Sequence, residues 1–387
     1  MIYLFVLLLT LYFALKYDII GGESNGYNKN FHFKLLLTIY IGLSGFQFQV
    51  GTDVYQYMIE YEEFNVASFT FSDLFEGGEG RRQPGWLLLL FLCKSLSSNF
   101  FILKLIHAIV INVAVFSFFK RESKYPFLCI FLYAMMGYLV INFNLLRQAF
   151  SLAFVLYGYS YLNRKNYKQF IFCAIGAFMF HSSAILVLIF PLFKFLKHNK
   201  YVVGATLSVI VLSVYYLAQA DLTGVMFEFL NGGLVNENIS SIGIAYMQSE
   251  RLGVRDDFAI FSLSRLFVFI VILYNMFKVK DMFVTYMSLA YLFIVIITGF
   301  FPVLWRFRIY FDFSYMLILA MFIKEFDLRI ARRYISYILI IAVSYLSLKD
   351  YFIPYEGSKM RYIDQYYPYH SIFDPVIEYE RIRYFSL

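Results

Sequence analysis

The sequence is poor in charge, cysteine, proline and tryptophan. Only 15% of its 387 residues are charged, against roughly 25% in soluble globular domains. A chain of this size with so few polar groups cannot cover its own apolar surface in water, which excludes a soluble globular enzyme. Low charge with abundant apolar residues equally excludes a disordered chain. The three cysteines, Cys93, Cys129 and Cys173, all fall in apolar runs. Neither a disulfide framework nor a zinc-site spacing can be made from them. Seven prolines and no Pro/Gly/Ser-rich stretch leave no linker to divide the chain, and no period of about 20–50 residues repeats. Walker, GxSxG, HExxH and dinucleotide-binding patterns are all missing, so ATP-driven transport and metalloprotease chemistry are disfavoured.

Apolar residues make up 61% of the chain and aromatics 22%. A spanning helix takes about 17–25 mostly apolar residues, and candidate spans fall at 1–16, 33–50, 99–119, 125–143, 146–163, 168–181, 183–196, 201–219, 258–277, 281–300, 308–324 and 334–349. The expectation is an all-α, polytopic membrane protein with about 12 spans (range about 10–14), forming one domain over 1–349 with a Tyr-rich tail over 350–387. The first segment has no basic leader and no small-residue cleavage site before Lys16, so it reads as a retained span.

Basic residues orient the chain. Lys16, Lys29 and Lys34, then Lys120, Arg121 and Lys124, then Arg164, Lys165 and Lys168 mark alternate loops. Lys194, Lys197 and Lys200, then Lys278 and Lys280, then Lys324, Arg329, Arg332 and Arg333 continue the series. These loops are expected in the cytoplasm. The formal charge of +7 is therefore mostly topology and no sign of a nucleic-acid partner. The long loops 51–98 and 220–257 are acidic and belong outside. The apolar run 86–96 is too short to span, and suits a re-entrant or interfacial helix in the outer leaflet. The tail tyrosines fit either an interfacial aromatic belt or stacking on sugars.

Ionisable groups inside spans are costly and by default functional. Lys104 and His107 share a helix face, Arg147 opens its span, Arg265 lies about 10 Å deep, and Arg306 and Arg308 sit at the outer end of another helix. All fall in the outer half of the membrane, where a basic cluster suits a lipid-tethered anion such as a pyrophosphate. Asp312, four residues after Arg308, makes that pair the best candidate for a structural ion pair. His181, at the junction of two short spans and followed by Ser182 and Ser183, is either a hydrogen-bonded structural residue or a base toward a sugar hydroxyl. Asp53 in GTDVYQY and Glu79 before Arg81, Arg82 and Trp86 set carboxylates beside Tyr55 and tryptophan, a carbohydrate-binding combination. The run Glu60, Glu62, Glu63 reads as a solvated face.

Five segments occur in order: GTDVYQYMIEYEEF (51–64), GRRQPGW (80–86), NFNLLRQAFSLAF (142–154), FHSSAILVLIFP (180–191) and WRFRIYF (305–311). With them the chain resembles the EpsG/Wzy-type polysaccharide polymerases of bacterial inner membranes. The resemblance implies a membrane glycosyltransferase that joins undecaprenyl-pyrophosphate-linked repeat units of O-antigen, capsule or exopolysaccharide at the periplasmic face. The growing glycan would move onto a hydroxyl of the next lipid-linked unit, with no nucleotide sugar. No cofactor is expected, although the acidic loops leave a divalent metal open. A flippase and a chain-length regulator of the same pathway are the implied partners. Arg147 and His181 match the family's pattern best, with Arg306 or Arg308 next. The rival readings are a lipid-linked oligosaccharide flippase, which spreads its cations through a central cavity, and a membrane glycan acyltransferase, which needs a cytoplasmic-side site.

Overall fold

The computed structural model describes residues 1–21, 26–74, 82–195, 209, 263–278, 282–300, 305–325, 330–354 and 360–385. The described residues are helical with short connections, and they divide into two compact units: Met1–Ile185 with Ile323–Leu387, and Leu186–Phe322. Each expected span except 201–219 carries helix. Residues 201–219 lie outside the described residues apart from Val209. Three helical segments among the described residues are long and apolar enough to cross a membrane: Ile2–Ile20, Phe101–Glu122 and Tyr334–Phe352.

In the first unit, α1 (Ile2–Ala14) buries Val6, Thr10, Phe13 and Ala14, the spacing of one face of a 3.6-residue helix. Its other face leaves Ile2, Leu4, Phe5, Leu8 and Tyr12 exposed, as suits a side turned to lipid. α1 runs into a π-helical stretch, Leu15–Ile20, then α2 (Gly26–Gly45) follows. The short α3 (Val54–Glu63) and α4 (Pro84–Leu96) precede α5 (Phe101–Glu122) and α6 (Pro126–Met136). A second π-helical turn, Val140–Asn144, leads into α7 (Leu146–Asn163), and α8 (Tyr167–Phe180) follows.

α7 is buried over nearly its whole surface. Its small residues let neighbouring backbones approach closely, the usual means of helix association in lipid. A Cβ on Gly158 would lie 3.1 Å from Cys173 Cβ on α8. α6 begins without a side-chain cap of its own. Asp18 takes that role from the first π-helical stretch, its Oδ2 accepting from Leu128 N at 2.9 Å, so an orphan N–H of the helix start is satisfied from elsewhere in the chain.

Basic side chains gather at the same end as Asp18. Lys29 pairs with Asp18, and Lys324 donates to Ile19 O at 2.8 Å. Lys120 donates to Asn30 Oδ1 and Arg121 to Ser160 Oγ, each at 2.8 Å. These groups come from segments expected in the cytoplasm. The opposite end collects the turn after α2, α3, the start of α7 and the tail. α4, at 13 residues, is about 20 Å long and too short to cross. Both of its ends are tied to α3: Trp86 donates to Glu60, while Lys94 donates to the carbonyls of Tyr61 and Glu62. Leu88, Leu92 and Leu96 form an exposed stripe four residues apart.

The second unit contains α9 (Phe190–Phe195), α10 (Leu263–Lys278), α11 (Met282–Phe300) and most of α12 (Trp305–Glu325). Tyr291 and Tyr315 stack at 4.5 Å and 7°, and Asp312 is buried on α12. α13 (Ile330–Leu348) returns to the first unit, and the tail ends in α14 (Tyr379–Phe385).

Candidate functional site

The site is built where α7 starts. Arg147 stands in the first turn of α7, an 18-residue helix. The helix dipole already makes that end positive. A cation there works against the helix, at roughly 0.3–1 kcal/mol, a cost that an anion bound at this end would offset. The guanidinium is half-buried. Its Nε donates to Tyr57 Oη at 3.5 Å and its Nη1 to Gln83 Oε1 at 3.0 Å. It also lies 5.9 Å from the centre of the Tyr57 ring. Tyrosine and glutamine are neutral, so they aim the fork without cancelling its charge.

Tyr57 is buried on α3. Burial raises its phenol above the ordinary range; the Arg147 charge opposes this, the Asp53 carboxylate adds to it, and Arg82 opposes it more weakly. The phenol is therefore neutral at physiological pH, accepting from Arg147 and keeping its own proton to donate. Asp53, directly before α3, is half-buried and accepts from Thr52 Oγ1 at 2.9 Å. Tyr55 is half-buried on the same helix.

Glu60 joins α3 to α4. Its Oε1 accepts from Arg82 Nε at 2.9 Å and from the Trp86 indole at 3.1 Å. Trp86 is fully buried, with its ring 5.3 Å from Tyr57 and 6.4 Å from Phe150. The solvated face expected of Glu60, Glu62 and Glu63 thus holds for the exposed Glu62 and Glu63 but not for Glu60. Glu60 is the hub between Arg82 and Trp86. Glu60→Leu strands the buried indole N–H and is expected to cost about 1–3 kcal/mol. Glu60→Gln, which still offers an acceptor, is expected to cost less. Thermal unfolding in detergent, read by tryptophan fluorescence, checks the order.

α8 brings His181 to the same end. Phe180 stacks on Phe150 at 5.2 Å, one turn along α7 from Arg147. A Cβ on Gly85, next to Trp86, would lie 2.9 Å from Met179 O and 3.1 Å from Phe180 Cε2. His181 caps α8 in extended geometry. Its Nδ1 lies 2.6 Å from Ser183 Oγ and accepts from Ser183 N at 3.3 Å. With Nδ1 an acceptor, the neutral ring carries its proton on Nε2 and presents a donor there.

Lys104 and His107 are buried in α5. The Lys104 ammonium donates to Asn142 O at 3.0 Å, and His107 meets the Phe150 ring at 5.5 Å. Asn142 in turn accepts from Asn112 at 2.8 Å and donates to Tyr133 Oη at 2.7 Å. Lys104 therefore braces the π-helical turn behind Arg147 from inside.

Glu79 and Arg81 lie outside the described residues, as does the side chain of Arg265, whose backbone belongs to α10. Arg306 and Arg308 are half-buried on α12 in the second unit. Arg308 Nε pairs with Asp312 Oδ1 at 3.2 Å, the structural ion pair expected from their spacing. Among the described residues no group of three or more His, Cys, Asp or Glu stands together to hold a metal.

Sequence reasoning missed Tyr57 and Gln83 as partners of Arg147. Tyr57 is one of 35 tyrosines; only its place one turn from both Asp53 and Glu60 on a short helix marks it out. The EpsG family model matches residues 30–371. Comparisons with curated proteins and with solved structures gave no match. The chain belongs to the EpsG family, and membership implies involvement in exopolysaccharide biosynthesis.

Proposed function

We propose that this EpsG-family membrane protein is a polysaccharide polymerase. It joins oligosaccharide repeat units carried on undecaprenyl pyrophosphate at the outer face of a bacterial inner membrane. The observation that carries the reading is Arg147: a cation at the positive end of a helix, aimed by the neutral Tyr57 and Gln83.

The reaction is displacement at the anomeric carbon of the donor. The acceptor hydroxyl oxygen forms the new bond, the bond to the pyrophosphate breaks, and the hydroxyl proton passes to a base. Arg147 binds the pyrophosphate as its charge grows. Arg82, whose charge also acts on Tyr57, brings a second guanidinium to the same side, and Lys104 adds positive potential behind it. Because His181 Nδ1 already accepts from Ser183 N, His181 serves best as an Nε2–H donor to the leaving group. The base is then Asp53, with Glu79 as the alternative. Tyr57 holds Asp53 and Arg147 in register, the half-buried Tyr55 offers a ring to the sugar, and Trp86, fully buried, backs Tyr57 instead of meeting the sugar as the sequence suggested. Direct attack inverts the anomeric centre. The basic loops expected in the cytoplasm leave this chemistry for the outer face, where a flippase would deliver the substrate and a regulator would set chain length.

Cells lacking the protein are expected to carry single repeat units on the terminal lipid acceptor, with no long chains, by gel analysis of surface glycan. Accumulation of lipid-linked units on the cytoplasmic leaflet would instead identify a flippase.

A further inference from the structure

The geometry points to the C-terminal tail as a working part of this site: residues 362–381 clamp the 46–52 turn against the start of α7 and so hold Asp53 and Tyr57 at Arg147. The inference rests on the polymerase reading above.

The turn between α2 and α3 is an awkward piece of chain. Gln49 has φ 47° and Gly51 φ 104°, conformations that side chains resist. A Cβ on Gly51 would lie 2.5 Å from Phe143 O and 2.6 Å from Asn144 Oδ1, so the turn is pressed onto the π-helical segment before α7. Such a turn persists only if its surroundings determine it. Those surroundings are the tail. Gly51 N donates to Gln365 O at 3.0 Å, Phe48 N to His370 O at 2.9 Å, and Ile372 N to Phe46 O at 2.9 Å. Arg381, buried, donates to Gln49 O at 3.1 Å and to Pro368 O at 2.6 Å.

Asn144 is the point where the three pieces meet. Its Oδ1 accepts from Thr52 N at 3.0 Å, beside Asp53. Its Nδ2 donates to Gln365 Oε1 at 3.1 Å and to Tyr366 Oη at 2.9 Å. Three residues later comes Arg147. One amide side chain thus links the carboxylate turn, the tail and the arginine helix, and it is buried with both tail partners, Gln365 and Tyr366. Asn144, Gln365 and Tyr366 are positioning residues.

The test uses the full chain, purified in nanodiscs. Amide hydrogen exchange is followed at Phe48, Gly51 and Thr52, and glycan extension is measured with lipid-pyrophosphate-linked units. Tyr366→Phe and Gln365→Ala are each expected to lower kcat about fivefold and Asn144→Ala about 30-fold, with KM changing little. Exchange at the three amides is expected to rise at least about tenfold in Asn144→Ala and Gln365→Ala, while amides in the middle of α5 and α7 keep their wild-type exchange. Asn144→Asp keeps the acceptor for Thr52 and can receive the Gln365 amide turned over, and it is expected to recover most of the loss. Unchanged exchange at Phe48, Gly51 and Thr52 in both variants overturns the clamp, as does a full kcat with raised exchange. If the wild type extends nothing, the polymerase reading fails while the exchange arm still judges the clamp.

Discussion

Arg147→Ala is expected to lower glycan extension about 100- to 1,000-fold while leaving the protein folded and at normal levels in the membrane. Charge accumulates on the pyrophosphate only as the glycosidic bond breaks, so a fixed cation there acts on the transition state more than on the bound substrate. Tyr57 and Gln83 hold the Arg147 fork in place, through donor bonds of 3.5 and 3.0 Å. Its removal relieves a cation at a helix N-terminus, so helix stability has no reason to fall. Arg147→Lys keeps the charge but loses the planar fork, and intermediate activity is expected. Initial rates of chain extension, with quantified protein in the same membranes, check both. Full-length glycan from Arg147→Ala cells at normal protein levels would make the assignment wrong.

Gly85→Val carries the second large effect, and it acts through packing. α4 approaches the last turn of α8 so closely that a Cβ on Gly85 would stand 2.9 Å from Met179 O and 3.1 Å from the same carbonyl carbon. Both are backbone atoms, which cannot swing aside as a flexible side chain would. α4 must therefore move, taking Gln83 from Arg147 and Trp86 from Glu60 and Tyr57. Overpacking of this kind costs about 1–3 kcal/mol, and misplacement by about 1 Å at a reacting centre costs about 100-fold in rate. Activity is expected to fall by at least that factor, with a lower melting temperature. Gly85→Ala meets the same carbonyl with a smaller side chain and should fall between. Equal activity in the valine variant and the wild type would show that α4 takes no part in the site.

The membrane class was legible because composition alone decides it, and most helices fall where apolar length puts them. Arg147 was legible for a related reason: a cation inside an apolar run has few inexpensive explanations. The π-helical turn 140–144 was not, since one extra residue in a turn leaves no mark on an apolar run. Glu60 was misread because its partners Arg82 and Trp86 lie 22 and 26 residues away, beyond any helical spacing. By sequence the tail tyrosines fit an interfacial belt or stacking on sugars equally. The structure divides them, burying Tyr366 completely against Asn144, Phe143 and Tyr351 while leaving Tyr367 and Tyr379 exposed. Buried polar contacts between distant segments carry no periodicity, so these are the parts that had to be seen.

The central claim is that this protein alone lengthens a lipid-linked glycan. The direct measurement is purified protein in nanodiscs given undecaprenyl-pyrophosphate-linked repeat units, with products separated by size. The account predicts chains of two or more units, one undecaprenyl pyrophosphate released for each bond formed, and neither product with Arg147→Ala. Repeat units that cross a bilayer but never lengthen would contradict it.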